Sequence, residues 1–202
     1  MRIFGIDPGS LRTGYGCVET DGTRHRLVAS GVLTIQGAST LSKKLHAIHS
    51  GLSRLIAESR PDCVAIENLF HARNVRSALI LGHARGVAML AAVEAGLPVI
   101  EYTPAEVKQA VVGYGRAEKL QLQHMVKALL GLASTPRPHD VADALAVAIC
   151  HAHRSSFRVG TEVDAINQTD LGRRPPSPHS GAFGAPSRTW RQYRPPPRRP
   201  AP

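Results

Sequence analysis

The sequence predicts an α/β domain over residues 1–154, built on a mixed β-sheet, and a tail without a core of its own. Alternating apolar and polar residues in the first 36 positions predict three strands with short connections. Beyond them, two short apolar strands enclose a long helical segment. Strands joined by tight turns are antiparallel, whereas strands joined by a helical crossover are parallel. The sheet is therefore expected to be mixed, with helices packed against it.

Local signals place each element. A turn at Asp21-Gly22 separates the second and third strands, and a Ser/Thr cap near Ser39 begins the first helix, whose apolar face runs from Leu41 to Ile56. The predicted strands are Arg2–Ile6, Thr13–Thr20, Leu27–Gln36, Cys63–Ile66 and Val99–Tyr102. The later predicted helices are about Arg73–Ala95, Pro104–Val112, Ala117–Leu130 and Pro138–His153.

Residues 155–202 hold nine of the fifteen prolines, carry a net charge of +5 and have no sustained apolar period. Such a segment cannot bury enough apolar surface to offset its ordering entropy, so a disordered Pro/Arg-rich basic tail is predicted. The whole chain of 202 residues has a net charge of +10. This excess indicates either simple solubility or a nucleic-acid partner.

The three cysteines lie in apolar stretches without metal-ligand spacing, which is typical of a reduced cytoplasmic protein. Neither a signal peptide nor a run of eighteen apolar residues is present, so no membrane span is expected. The predicted helix of residues 73–95 is rich in glycine and alanine, notably Gly82 and Gly86. Its small residues fit either close packing on the sheet or a seam between two copies of the chain.

Four acidic residues occupy positions where an isolated charge is energetically unfavourable. Asp7 and Glu67 end apolar strands, and Asp140 and Asp143 begin the last helix on a shared face. Asp7 could cap a turn and Asp140 could interact with the helix dipole. Together, however, the four predict a cluster that would repel itself without a cation. Hard oxygen ligands suit Mg²⁺ or Mn²⁺, and two such ions could hydrolyse a phosphodiester.

Seven ordered segments within residues 1–154 resemble the RuvC family of Holliday junction resolvases. They are Gly5–Ser10, Thr13–Gly16, Ile66–Phe70, Ser77–Val87, Val107–Gly113, Ala117–Val126 and Asp140–Ala146. The resemblance implies a ribonuclease H-like fold with a five-stranded mixed sheet flanked by helices. It also implies a bacterial homodimer that binds four-way junction DNA, makes two symmetric nicks in recombination and repair, and cooperates with the RuvA and RuvB branch-migration motor.

By motif position, the resemblance implies that Asp7, Glu67, Asp140 and Asp143 form the catalytic and metal-binding set. The metal would be Mg²⁺, with two ions per subunit and Mn²⁺ as a substitute. The family sometimes has histidine where this chain has Asp140; His139 is interpreted as a neighbour of the set. The implied DNA-contacting residues are Phe70, Arg73, Arg76, Lys108, Tyr114, Arg116 and Lys119, with Phe70 inserted between bases at the junction centre.

Three other interpretations agree less well with the sequence. An actin-like sugar kinase or ATPase needs a second domain and a second Asp-Gly phosphate loop, for which the chain has neither the length nor the motif. A junction-binding protein that does not cleave would have no use for all four acids. A ribonuclease H-like nuclease with another substrate is disfavoured by the Phe70 segment and the helix rich in small residues.

Overall fold

The computed structural model describes residues 1–35, 37, 40–68 and 74–168, with side chains to residue 155. Five strands form one sheet in the order β3-β2-β1-β4-β5. Their bounds are β1 Arg2–Asp7, β2 Arg12–Thr20, β3 His25–Thr34, β4 Cys63–Glu67 and β5 Val99–Tyr102. The pairs β1–β2 and β2–β3 are antiparallel, whereas β1–β4 and β4–β5 are parallel. The predicted mixed sheet is confirmed.

Five helices complete the part of the chain that the structure describes: α1 Leu41–Ser59, α2 Val75–Glu94, α3 Pro104–Val112, α4 Lys119–Leu129 and α5 His139–Gln168. Side-chain caps fix several of their starts. Thr40, one residue from the predicted cap, accepts a hydrogen bond from the Lys43 amide, and Asn74 does the same for Ser77. Thr103 and Glu106 form a reciprocal capping box at α3.

The predicted end of the last helix near His153 is wrong, because α5 continues to Gln168. Its extension contains no proline, and the first proline of the tail is Pro175, so nothing in the backbone chemistry stops the helix at Arg154. The expected boundary after Arg154 thus falls inside a helix. Residues 169–202 of the predicted tail lie outside the described residues.

The sheet has a core on each face. On one face, Phe4, Ile6, Val64 and Ile66 pack with buried residues of α1 and α2. On the other, alternate positions such as Ile3 and Ala65 pack against α3, α4 and the central part of α5. The strand period of two therefore assigns every second residue of β1 and β4, including the last residue of each strand, to the face that carries α5.

Helix α5 lies unusually close to the sheet because glycines line its path. A Cβ atom placed on Gly5 would stand 2.0 Å from the Ala144 carbonyl oxygen, and one on Gly14 would stand 2.0 Å from the Asp140 carbonyl oxygen. Both distances are far shorter than any real contact. Glycine at these two positions is therefore what permits the backbone of α5 to rest directly on β1 and β2.

The two interpretations of the small residues in α2 apply to different faces. Ala84, Ala88, Ala91 and Ala92 are buried against the core, whereas Cβ atoms on Gly82 and Gly86 would meet nothing within 4 Å. The outer face also exposes large apolar side chains: Val75, Leu79, Leu90 and Val93. By length and composition alone, α2 is, among the described residues, a helix apolar enough to span a membrane.

Candidate active site

Strand register brings Asp7 and Glu67 side by side. Ile6 of β1 is paired with Ile66 of β4 in a parallel ladder, and each strand ends at the next residue. By the alternation of residues along each strand, both acids belong to the face of the sheet on which α5 lies. The expectation that they meet at one edge of the sheet is thus satisfied by the backbone.

Helix α5 delivers the other two acids to the same place. Asp140 lies in its first turn and Asp143 follows one turn later. The backbone of Asp140 rests on Gly14, and Gly14 is the residue paired with Asp7 across β1 and β2. Four acidic residues from three elements therefore share one end of the sheet.

Burial and mutual repulsion perturb these carboxyl groups. Burial, then repulsion by Glu67, Asp143 and Asp140, raises the pKa of Asp7 to about 8. Burial and the charge of Asp143 raise the pKa of Glu67 to about 7. Burial also raises the pKa of Asp143, although Lys119 opposes the shift. A cation at this point would favour the ionised forms of all these groups.

Two lysines border the acids. The Lys119 ammonium lies 3.8 Å from a carboxylate oxygen of Asp143 and remains largely exposed. Lys108, half-buried on α3, acts electrostatically on both Glu67 and Asp143 and partly offsets the rise in the pKa of each. The structure thus brings two of the sequence-predicted DNA-contacting residues to the carboxylates.

The donor set suits a hard divalent cation. The four side chains offer only carboxylate oxygens, which Mg²⁺ and Mn²⁺ prefer, and no cysteine joins them. In the described residues, no three His, Cys, Asp or Glu side chains already surround a single point closely enough to hold an ion. The shared position and the raised pKa values are what identify the candidate metal site.

The other predicted DNA-contacting residues have separate positions. Tyr114 and Arg116 are exposed in the connection between α3 and α4, which links the helices of the two lysines. Arg76 is exposed in the first turn of α2. Phe70 and Arg73 lie outside the described residues.

Sequence reasoning missed two structural supports of the site. The first is the pair Gly5 and Gly14, whose signal was glycine on the inward-facing positions of neighbouring strands. The second is Gln123, a buried polar residue whose side chain lies 2.6 Å from Nδ1 of His139. Gln123 stands in an apolar helical stretch, and its partner is sixteen residues away, so no local pattern connected them.

The fold of this chain, with its acidic cluster, is that of the ribonuclease H-like class of nucleases. A family model described as crossover junction endodeoxyribonuclease RuvC matches residues 3–151. A RuvC of Syntrophotalea carbinolica is 57% identical over 153 residues, which cover 76% of this chain and 94% of that protein. A RuvC of Desulforamulus reducens is 52% identical over 156 residues, covering 77% and 96%.

Solved structures of resolvases are similar to this chain. Thermus thermophilus RuvC in complex with a Holliday junction substrate is 37% identical, with a TM-score of 0.75 over 78% of this chain and 96% of that one. The yeast mitochondrial resolvase Ydc2, at 14% identity and a TM-score of 0.62, shares the fold. The chain belongs to the RuvC family of crossover junction endodeoxyribonucleases, which are metal-dependent enzymes.

Proposed function

We propose that this protein resolves four-way DNA junctions by cutting two strands symmetrically, with Asp7, Glu67, Asp140 and Asp143 as its catalytic and metal-binding residues. One observation carries the proposal: four acids from β1, β4 and α5 share one end of the sheet, where burial and repulsion raise the pKa of three of them. This arrangement costs stability in the absence of a cation, and a catalytic metal site is the chemistry that uses it.

We propose Mg²⁺ as the metal, with two ions per subunit and Mn²⁺ as a substitute. Bound there, such ions supply an activated water and stabilise the leaving oxygen of a phosphodiester. Asp7 and Glu67 would offer ligands from the ends of β1 and β4, whereas Asp140 and Asp143 would offer theirs from α5. The side-chain amide of Gln123 lies 2.6 Å from Nδ1 of His139 and engages that ring nitrogen, which supports the interpretation of His139 as a neighbour of the acidic set rather than a ligand.

The DNA-contacting roles follow the charges around the site. Lys119 already lies near Asp143 with its ammonium exposed, so it can bind a phosphate next to the cleaved bond. Lys108 faces the same carboxylates from α3. The remaining proposed contacts come from Phe70, Arg73, Arg76, Tyr114 and Arg116, which the resemblance assigns to the junction.

We propose that α2 forms the seam of a homodimer. Its exposed positions Val75, Leu79, Gly82, Gly86 and Val93 are separated by three-, four- or seven-residue steps, which is the spacing of a helix–helix seam. The two glycines at its centre would let a second α2 approach closely. A dimer also supplies the two carboxylate clusters that two simultaneous nicks require.

The remaining proposals concern the setting of the enzyme. We place it in the bacterial cytoplasm, with RuvA and RuvB as the motor that presents junctions to it. Two domains are proposed, the nuclease domain and a basic tail. The proposed domains are residues 1–154 and residues 155–202, and α5 runs across this boundary to Gln168.

A synthetic mobile four-way junction, labelled on each strand in turn, tests the function. With Mg²⁺, the wild-type protein is expected to produce paired nicks on opposing strands. Glu67→Gln and Asp7→Asn should bind the junction but leave it uncut, because each change removes a charged ligand and keeps the basic surface. Binding is measured separately in the presence of a chelator.

Asp62→Asn is the matched control, since Asp62 is an exposed carboxylate at the opposite end of β4 and should leave cleavage unchanged. Near wild-type cleavage by Glu67→Gln would show that the assigned metal site is wrong. Junction binding without cleavage by the wild-type protein would instead favour a junction-binding protein that does not cut.

A further inference from the structure

Two histidines meet away from the acidic site. His25 begins β3 and His153 lies on α5, and their Nε2 atoms are 3.0 Å apart. The ring centroids are separated by 5.0 Å with a tilt of 44°. Neither catalysis nor DNA binding, as proposed above, uses this pair.

The second nitrogen of each ring is held by an oxygen atom. His153 Nδ1 lies 2.9 Å from the Ala110 carbonyl oxygen, which can only accept, so this nitrogen donates and Nε2 of His153 carries a lone pair. His25 Nδ1 lies 2.9 Å from the Thr20 hydroxyl oxygen. Hydrogen bonds from Nδ1 to such oxygens are the usual support that orients histidine ligands toward a metal.

The separation of the two Nε2 atoms suits one shared ion. Metal–nitrogen distances of about 2.0–2.1 Å in tetrahedral geometry separate two ligand nitrogens by about 3.3 Å. The rings need to open by only a few tenths of an ångström to reach that value. Burial, followed by the proximity of His153, lowers the pKa of His25, which favours the neutral ring that can bind a metal ion.

We propose that His25 and His153 form a second metal site, which takes a borderline transition-metal ion such as Zn²⁺ through their two Nε2 atoms. Imidazole nitrogens select such ions, whereas the carboxylates of the active site select Mg²⁺ or Mn²⁺. No third His, Cys, Asp or Glu side chain of the described residues completes the cluster, so water fills the other positions. Binding requires the tautomer of His25 in which Nδ1 donates to Thr20.

The ion would hold α5 against the sheet, because it would be bound by one residue of each. It would join the first residue of β3 to α5, and through the Ala110 carbonyl it would extend the connection to α3. His153 lies ten residues after Asp143, about 15 Å along the helix, so the second site is separate from the catalytic one. Its position is close to the end of the part of α5 that packs on the core.

Calorimetric titration of the whole protein with Zn²⁺, in a large excess of Mg²⁺ that occupies the carboxylates, tests the proposal. The wild-type protein should bind one Zn²⁺ per chain, and His25→Gln and His153→Gln should each weaken that binding at least about tenfold. His46→Gln is the matched control, because His46 is an exposed histidine on α1, across the sheet. It should bind Zn²⁺ as the wild type does.

Nitrogen-15 NMR of the wild-type imidazoles gives a second readout that needs no variant to fold. Zn²⁺ should shift the Nε2 resonances of His25 and His153, and in the Zn²⁺-bound form the Nδ1 atoms of both rings should be protonated. Unchanged Zn²⁺ affinity in both variants, or Nε2 resonances that do not respond to Zn²⁺, would overturn the proposal. The pair would then be a direct hydrogen bond from His25 Nε2 to His153 Nε2.

Discussion

Replacing Gly14 by alanine should slow catalysis strongly while the protein still folds. The new Cβ would stand 2.0 Å from the Asp140 carbonyl oxygen, and ordinary contact begins at about 3.4 Å, so the first turn of α5 must move by about 1.4 Å. Such overpacking costs about 1–3 kcal/mol, which a domain of this size can absorb. A misplacement of about 1 Å in a catalytic group costs about a hundredfold in rate.

Single-turnover nicking of a four-way junction in Mg²⁺ measures this effect, and circular dichroism with thermal melting verifies the fold. Gly14→Ala should cut about a hundredfold more slowly than the wild type while binding the junction with similar affinity. Gly31→Ala is the control, because its Cβ would meet the Tyr15 ring instead of α5. A nicking rate for Gly14→Ala within a few-fold of the wild type would refute the idea that glycine here sets the position of Asp140.

Three other outcomes are expected. The pKa of Asp7, raised to about 8, means that the native state binds a proton which the unfolded state releases near pH 4. In the absence of metal, the free energy of unfolding should therefore fall as the pH rises from about 4 to about 8. Mg²⁺ should raise the melting temperature more at pH 8 than at pH 5. Thermal melts of Asp7→Asn should show a weaker dependence on pH and a weaker effect of Mg²⁺. Gly86→Leu should shift sedimentation toward a monomer and suppress paired nicking more than folding, whereas a wild-type monomer that makes both nicks would contradict the proposed seam. Deleting residues 169–202, which hold seven arginines and one aspartate, should spare cleavage and reduce the slope of log affinity against log salt; equal slopes would mean that this segment does not contact DNA.

The sequence determined the elements and the chemistry of the site. A period of two and a period near 3.6 distinguish strands from helices, and these periods depend only on neighbouring residues. The same local reasoning found Asp7 and Glu67, because a charge directly after three or more apolar strand residues stands out without any knowledge of the fold. It failed at the end of α5, where loss of apolar periodicity was interpreted as loss of structure.

Tertiary structure decided what depends on residues far apart in the chain. The pKa of Glu67 is raised by burial and by the charge of Asp143. Glu67 and Asp143 come together only because α5 crosses the sheet. The roles of Gly14 and Gln123 depend on contacts with Asp140 and His139, more than a dozen residues away. The two-histidine pair joins residues 128 positions apart. Local propensity cannot encode such distances, because they are set by how helices pack on a sheet and by how closely glycine lets them approach.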